Sequence, residues 1–181
     1  MSLKIGTYRL LGRSTLAYLN AIAPKAADLV ADRFGRRPLA VTEVVLTNPS
    51  GLAALFTRTQ AAAANIPGDQ AGPAARLLRA EPRKLYGTTG LRPGKGGGTL
   101  TLINVRRNRD RRALDETLLY ELVTVDQLSR PRSRDRFITV LRDRCGIDPQ
   151  PERVRRAWNK DFKADDAEAA QVVQQLLPRL H

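Results

Sequence analysis

The sequence predicts an α+β fold in which a small sheet packs against one central helix and the C-terminal part is mostly helical. Two segments, 39–46 and 99–105, are rich in β-branched or alternating apolar residues, a pattern typical of strands. From residue 115 onward, apolar residues recur at the helical spacing of three or four. A short apolar segment at 3–11 predicts one further strand, so the expected sheet has few strands.

Helices are predicted between and after these strands. Ser14 can cap a first helix, Pro24 can begin a second helix that ends at Gly35, and Ser50 can cap a third helix over 51–64. Further helices are expected at about 115–128, 133–144, 149–159 and 165–177.

Residues 65–98 are rich in Gly, Pro, Ala and Arg and are predicted to be irregular, with a short helix at 74–78 and an extended piece at 84–86. The glycine-rich segment Gly94–Gly98 does not fit a phosphate-binding loop. In that motif lysine is followed by Ser or Thr and then by a helix, whereas here Lys95 is followed by glycine and a strand. The segment predicts a hairpin-type loop instead.

The length of 181 residues fits one domain with an appended helical segment. We expect residues 1–148 to form the α+β domain and residues 149–181 to form a basic helical extension packed on it. Within this extension Trp158 lies four residues after Val154, a spacing that favours a core position for its ring.

The charge of the chain is strongly positive. Lys and Arg number 31 against 18 Asp and Glu, which gives a net charge of +13 and an isoelectric point near 10.9. This balance favours an anionic partner such as nucleic acid or an acidic protein, although an Arg-rich composition can also be solvated without function. No segment is apolar enough to cross a bilayer. The lack of a signal-peptide pattern and the single cysteine, Cys145, predict a cytoplasmic protein with no membrane contact.

The segment 115–127 carries the most information about function. It reads Asp-Glu-Thr-Leu-Leu-Tyr-Glu-Leu-Val-Thr-Val-Asp-Gln. On a helix, one face is apolar and consists of Leu118, Leu122 and Val125. The other face is polar, has Glu121 at its edge, and consists of Glu116, Thr117, Tyr120, Thr124 and Gln127.

This helix resembles the metal-binding helix of zincin-like metallopeptidases, in which His-Glu-x-x-His places two imidazoles on one face with a general-base glutamate between them. The resemblance puts Tyr120 and Thr124 at the two ligand positions and Glu121 at the general-base position. The order of elements over residues 39–128 is similar as well. The resemblance implies a peptidase-like body that has lost its ligands. An ordinary amphipathic helix of an unrelated α+β protein is the alternative.

The chain offers no replacement ligands for zinc. A phenol with a pKa of about 10 and a neutral hydroxyl are poor Zn²⁺ ligands beside imidazole. The only histidine is His181 and the only cysteine is Cys145, so a Ser-His-Asp or Cys-His site would also depend on His181. A magnesium or calcium site from Glu116, Glu121 and Asp126 is disfavoured because Asp126 points away from Glu116 around the helix. We expect no cofactor and no catalysis, with Glu121 as a vestigial general base.

Two arginine clusters flank this helix. The first consists of Arg106, Arg107, Arg109, Arg111 and Arg112, and the second consists of Arg130, Arg132, Arg134 and Arg136. Guanidinium groups bind phosphate and carboxylate oxygens in pairs, so both clusters are candidates for contact with nucleic acid or an acidic partner.

The sequence therefore predicts a non-catalytic, zincin-like protein that acts as a binding or assembly module and takes a protein partner. Two alternatives stay open. One is a basic, nucleic-acid-associated protein that uses the arginine clusters. The other is a structural subunit of a phage or plasmid-borne assembly.

Overall fold

The computed structural model describes residues 2–8, 13–35, 41–67, 84–93 and 98–181. It confirms the α+β class, with a four-stranded mixed sheet and a mostly helical C-terminal part. The strands are β1 (Ser2–Thr7), β2 (Val41–Thr47), β3 (Gly87–Leu91) and β4 (Thr99–Asn104). The helices are α1 (Arg13–Phe34), α2 (Pro49–Ala63), α3 (Arg111–Ser129), α4 (Pro131–Arg144) and α5 (Glu152–Leu176), with a 3₁₀ turn at Leu177–Arg179.

The sheet has the order β1-β2-β4-β3. Strands β1, β2 and β4 run parallel, while β3 is an edge strand antiparallel to β4. β3 and β4 form the hairpin that the glycine-rich loop predicts, although residues 94–97 of that loop and the predicted helix at 74–78 lie outside the described residues. β3 begins at Gly87, directly after the predicted extended piece at 84–86. Its sequence, Gly-Thr-Thr-Gly-Leu, does not predict a strand, because two of its five positions are glycines and glycine is disfavoured in strands.

The two faces of the sheet are covered by different helices. On one face the larger core joins Leu46 and Ile103 of the sheet to Val30 of α1, Leu118 of α3 and Val172 of α5. On the other face a smaller cluster packs beneath α2. The alternation of side chains along β2 and β4 supplies both cores from the same strands. Within the part of the chain that the structure describes, no helix combines the length and the apolar character needed to span a membrane.

Helices α1 and α5 each join two helices that the sequence predicts as separate. Helix α1 continues through Pro24, which is exposed, so the carbonyl group that loses its partner at this point can bind water. Helix α5 bridges the gap predicted between 159 and 165, where Arg136 of α4 binds Asp161 (2.9 Å) and Asp165. Helix α2 is capped by Asn48 rather than by Ser50.

Trp158 is not in the main core. Its side chain is half-buried and lines a shallow groove between α4 and α5 with Phe162 and Val140. The residues of α5 that belong to the main hydrophobic core begin at Ala169. Helical spacing alone therefore overstated the burial of Trp158.

Candidate functional site

Helix α3 carries the candidate site, and its two faces follow the sequence period. Asp110 caps the helix by accepting a hydrogen bond of 2.8 Å from the backbone N–H of Ala113. The predicted apolar face is confirmed, since Leu118, Leu122 and Val125 are buried. The polar face turns toward β3 and α5, which both pack on α3.

A groove with a volume of about 890 Å³ lies along the first half of this polar face. Four of the predicted polar-face residues form its floor: Glu116, Thr117, Tyr120 and Glu121. The first wall consists of Leu85, Tyr86 and Gly87, at the start of β3. The second wall consists of Ala170, Val173, Gln174, Leu177 and Pro178, at the end of α5. Of the three positions that resemble the zincin motif, Tyr120 and Glu121 line the groove and Thr124 does not.

Glu121 is the buried acidic group in the floor of this groove. The residue is 5% exposed, and its Oε2 accepts a hydrogen bond of 2.7 Å from Oγ1 of Thr89 in β3. The hydroxyls of Thr89 and Thr101 lie 2.8 Å apart, so two strands are linked to the carboxyl group. Burial raises the pKa of Glu121 to about 7, with a further increase from Asp166, although the Thr89 hydrogen bond acts in the opposite direction. Glu121 therefore takes up a proton near neutral pH.

The close approach of β3 to Glu121 depends on a glycine. A Cβ atom at Gly87 would lie 2.8 Å from Oε1 of Glu121 and 2.8 Å from Cγ2 of Thr117. A larger residue at this position would force Glu121 or the strand to move. Gly87 is thus part of the groove although it has no side chain.

Both positions that resemble zinc-ligand sites are engaged in internal hydrogen bonds. The hydroxyl of Tyr120 donates to Oδ1 of Asp166 in α5 at 2.9 Å. Burial, and then this hydrogen bond, raises the pKa of the Tyr120 phenol. Oγ1 of Thr124 donates to the carbonyl of Tyr120 at 3.1 Å. Among the described residues, no group of three or more His, Cys, Asp or Glu side chains is arranged to hold a metal ion.

Helix α5 covers the second half of the polar face. Gln127 is buried, and its Nε2 donates to the carbonyl of Asp165 (2.8 Å) and to Oε2 of Glu168 (3.0 Å). Thr124 and Gln127 consequently do not line the groove, and only the first half of the predicted polar face is open.

All five arginines of the first cluster are exposed, in the turn before α3 and in its first turn. Arg112 lines the groove and pairs with Glu116 at 3.0 Å. The guanidinium of Arg107 lies 5.9 Å from the centroid of the Tyr86 ring. The cluster is therefore available to a partner.

The second arginine cluster lies at the other end of α3, about 28 Å away at 1.5 Å per residue, so the two clusters do not form one surface. Arg130 binds Glu168 of α5 at 3.0 Å, and Arg136 binds two aspartates of the same helix. Arg134 is half-buried and Arg132 is exposed. The geometry gives Arg130 and Arg136 a role in fixing α5, which disfavours a role in partner binding.

A second polar cluster was not predicted from the sequence. The hydroxyl of Tyr18 donates to both carboxylate oxygens of the buried Asp115, at 2.8 and 2.9 Å, and Nε2 of His181 lies 3.0 Å from Oδ2. Burial, and then the Asp115 hydrogen bond, raises the pKa of Tyr18 to about 12. His181 is thus held at Asp115 rather than beside Glu121.

Three further residues were not predicted from the sequence: Gly87, which lines the groove, and Thr89 and Asp166, which bind Glu121 and Tyr120 in it. Each lies more than 30 residues from its partner on α3 and belongs to a different element. Only the Thr-Thr pair between two glycines offered a signal, since threonine favours strands.

No family model, curated protein or solved structure matches this chain. The resemblance of α3 to a zincin helix therefore rests on the residues of this chain and stays a prediction.

Proposed function

We propose that this chain is a non-catalytic, zincin-like protein that binds an extended segment of a partner protein in the groove of α3. The observation that carries the proposal is the groove itself, which lies over Tyr120 and Glu121 and has a volume of about 890 Å³. Pockets that hold ligands commonly have a volume of about 300–1,000 Å³.

The chemistry of the groove supports binding over catalysis. Oε2 of Glu121 is held by Thr89, and among the described residues no group of ligands beside it is arranged to hold a metal ion that would activate water. Tyr120 and Thr124 use their hydroxyls within the protein. The walls, by contrast, offer apolar contacts from Leu85, Val173 and other residues of β3 and α5.

The edge of β3 supports an extended ligand. Gln60 hydrogen-bonds to both peptide groups of Leu91, at 3.3 and 3.4 Å, which shows that Leu91 turns these groups away from β4. Strand alternation places the peptide groups of Gly87 and Thr89 on the same outer edge. In the described part of the chain no strand pairs with this edge, and only Gly87 and Thr88 of β3 are partly exposed, so a partner segment would add at this end of the strand.

A display library of random linear peptides tests the proposal. We expect the protein to enrich a common motif and to return these peptides uncleaved. Ala170→Trp, which fills the groove from an exposed position of α5, should abolish enrichment. Ala157→Trp is the matched control, because it adds the same side chain to an exposed position of α5 outside the groove. Cleavage of the peptides, or equal enrichment by both variants, would contradict the proposal.

A further inference from the structure

The segment before β3 and the turn after β4 form one surface because two buried asparagines hold them together. The carbonyl of Tyr86 accepts hydrogen bonds from the backbone N–H of Asn104 (2.8 Å) and from Nδ2 of Asn108 (2.9 Å). The hydroxyl of Thr117 donates to Oδ1 of Asn108 at 2.7 Å, which fixes the turn on α3. The main chain of this surface is therefore held in one conformation.

The side chains on this surface point to a partner. Tyr86 is 51% exposed, more than any other large apolar side chain that the structure describes. Among the described residues, no carboxylate pairs with Arg106, Arg107, Arg109 or Arg111, which are exposed in the turn and at the start of α3; the guanidinium of Arg111 lies 5.1 Å from the centroid of the Tyr18 ring. We name this the Tyr86 surface, and it consists of Lys84, Tyr86, Arg106, Arg107, Arg109 and Arg111.

We propose that the Tyr86 surface binds single-stranded nucleic acid, with a base stacked on Tyr86 and phosphates bound by the arginines. This inference does not depend on peptide binding in the groove. Guanidinium groups bind phosphate oxygens in pairs, and the N-terminal end of α3 adds a positive partial charge to the same region. Such a combination of an exposed aromatic ring and a basic surface is typical of single-strand binding.

The exposed ring of Tyr86 favours one of the anionic partners that the arginines could bind. A duplex keeps its bases stacked on one another, so it contacts arginines through its backbone and gains little from Tyr86. An acidic peptide likewise satisfies the arginines but offers carboxylates, which do not stack on a ring. An unpaired base gives Tyr86 a flat partner. The guanidinium of Arg107 lies 5.9 Å from the ring centroid, at the limit of a cation–π contact.

Fluorescence anisotropy with a labelled oligothymidylate and a labelled duplex tests the proposal at near-physiological salt, about 150 mM. We expect micromolar or tighter binding of the single strand and weaker binding of the duplex. Tyr86→Ala should weaken single-strand binding about tenfold, while Tyr86→Trp should preserve it because the larger ring still stacks.

Two fourfold charge reversals separate local recognition from the net charge of the chain. The first variant carries Arg106→Glu, Arg107→Glu, Arg109→Glu and Arg111→Glu. The matched control changes the net charge equally at four exposed positions elsewhere, with Arg132→Glu, Arg144→Glu, Arg153→Glu and Lys160→Glu. We expect the first to abolish binding and the control to keep most of it.

Three results would overturn the inference. Equal losses in both fourfold variants would show that binding reflects net charge alone. An unchanged affinity of Tyr86→Ala for the single strand would show that no base stacks on Tyr86. Displacement of oligothymidylate by an equal concentration of polyglutamate would instead assign the surface to an acidic protein.

Discussion

The hydroxyl of Thr89 donates a hydrogen bond of 2.7 Å to the carboxyl group of Glu121, and this bond joins the edge strand to the helix that carries the groove. It also opposes the effect of burial on Glu121, because a hydrogen bond to a carboxylate favours its ionised form. The position that resembles a catalytic base is thus built into the contact between β3 and α3.

The raised pKa of Glu121 makes stability depend on pH. Since the pKa is about 7 in the folded protein and 4.5 ordinarily, the folded state holds the proton more tightly than the unfolded state. Stability should therefore fall as the pH rises from 4.5 to 7, by roughly 3 kcal/mol, and should not fall further above 7 through this group. Glu121→Gln removes the titration, so it should be more stable than the wild type at pH above 7 and similar at the acidic end.

Urea unfolding of the wild type and Glu121→Gln across this pH range measures the difference. Thr89→Val provides a second variant, because the loss of its hydrogen bond should raise the pKa of Glu121 further and extend the decline in stability to higher pH. An identical pH dependence in the wild type and Glu121→Gln would show that Glu121 does not titrate as described.

Gly87→Ala should destabilise the protein. Its Cβ would lie 2.8 Å from Oε1 of Glu121, and the overpacking should cost about 1–3 kcal/mol. Gly6→Ala in β1 is the matched control, since no atom lies within 4 Å of its added Cβ. Thermal unfolding compares the two. In the Glu121→Ala background the cost of Gly87→Ala should shrink, and a full cost there would locate the strain elsewhere.

Arg136→Met should weaken the packing of α5 on α4 and lower the free energy of unfolding. It removes ion pairs with Asp161 and Asp165 and a contact of 4.9 Å with the Phe162 ring, so we expect a loss of about 1–3 kcal/mol. Arg132→Met, at an exposed position of the same helix, should change stability by no more than about 0.5 kcal/mol. Equal losses of stability for the two variants in urea unfolding would show that Arg136 contributes no more to stability than the exposed Arg132.

The sequence was sufficient for features that depend on local periodicity. The α+β class, the two faces of α3 and the ends of helices at Gly35 and Gly146 follow from apolar spacing and from glycines with positive φ of 62° and 72°. Such features are determined by residues within a few positions of one another.

The sequence was not sufficient for contacts between distant segments. Asn108 and Tyr86 are 22 residues apart, and Gln127 and Glu168 are 41 apart, yet these pairs shape the Tyr86 surface and close the groove. The sequence around a single polar residue does not indicate which distant residue it contacts, so neither contact could be predicted. For the same reason Arg130 could not be told from Arg132 before its ion pairs were seen.

The most direct test of the zincin-like body is zinc binding by the double variant Tyr120→His, Thr124→His. The two imidazoles would share one helix face beside Glu121, and Asp166, whose Oδ1 lies 2.9 Å from the Tyr120 hydroxyl, is placed to supply a third ligand. Tyr120→Phe, Thr124→Val serves as the control, and Asp166→Asn in the double-histidine background tests the third ligand.

Isothermal titration with Zn²⁺ is the measurement, together with circular dichroism to verify that each variant is folded. We expect the double-histidine variant to bind one zinc ion at least about tenfold more tightly than the wild type does, with part of the gain lost in Asp166→Asn. A folded double-histidine variant that binds zinc no better than the wild type would contradict the zincin-like assignment.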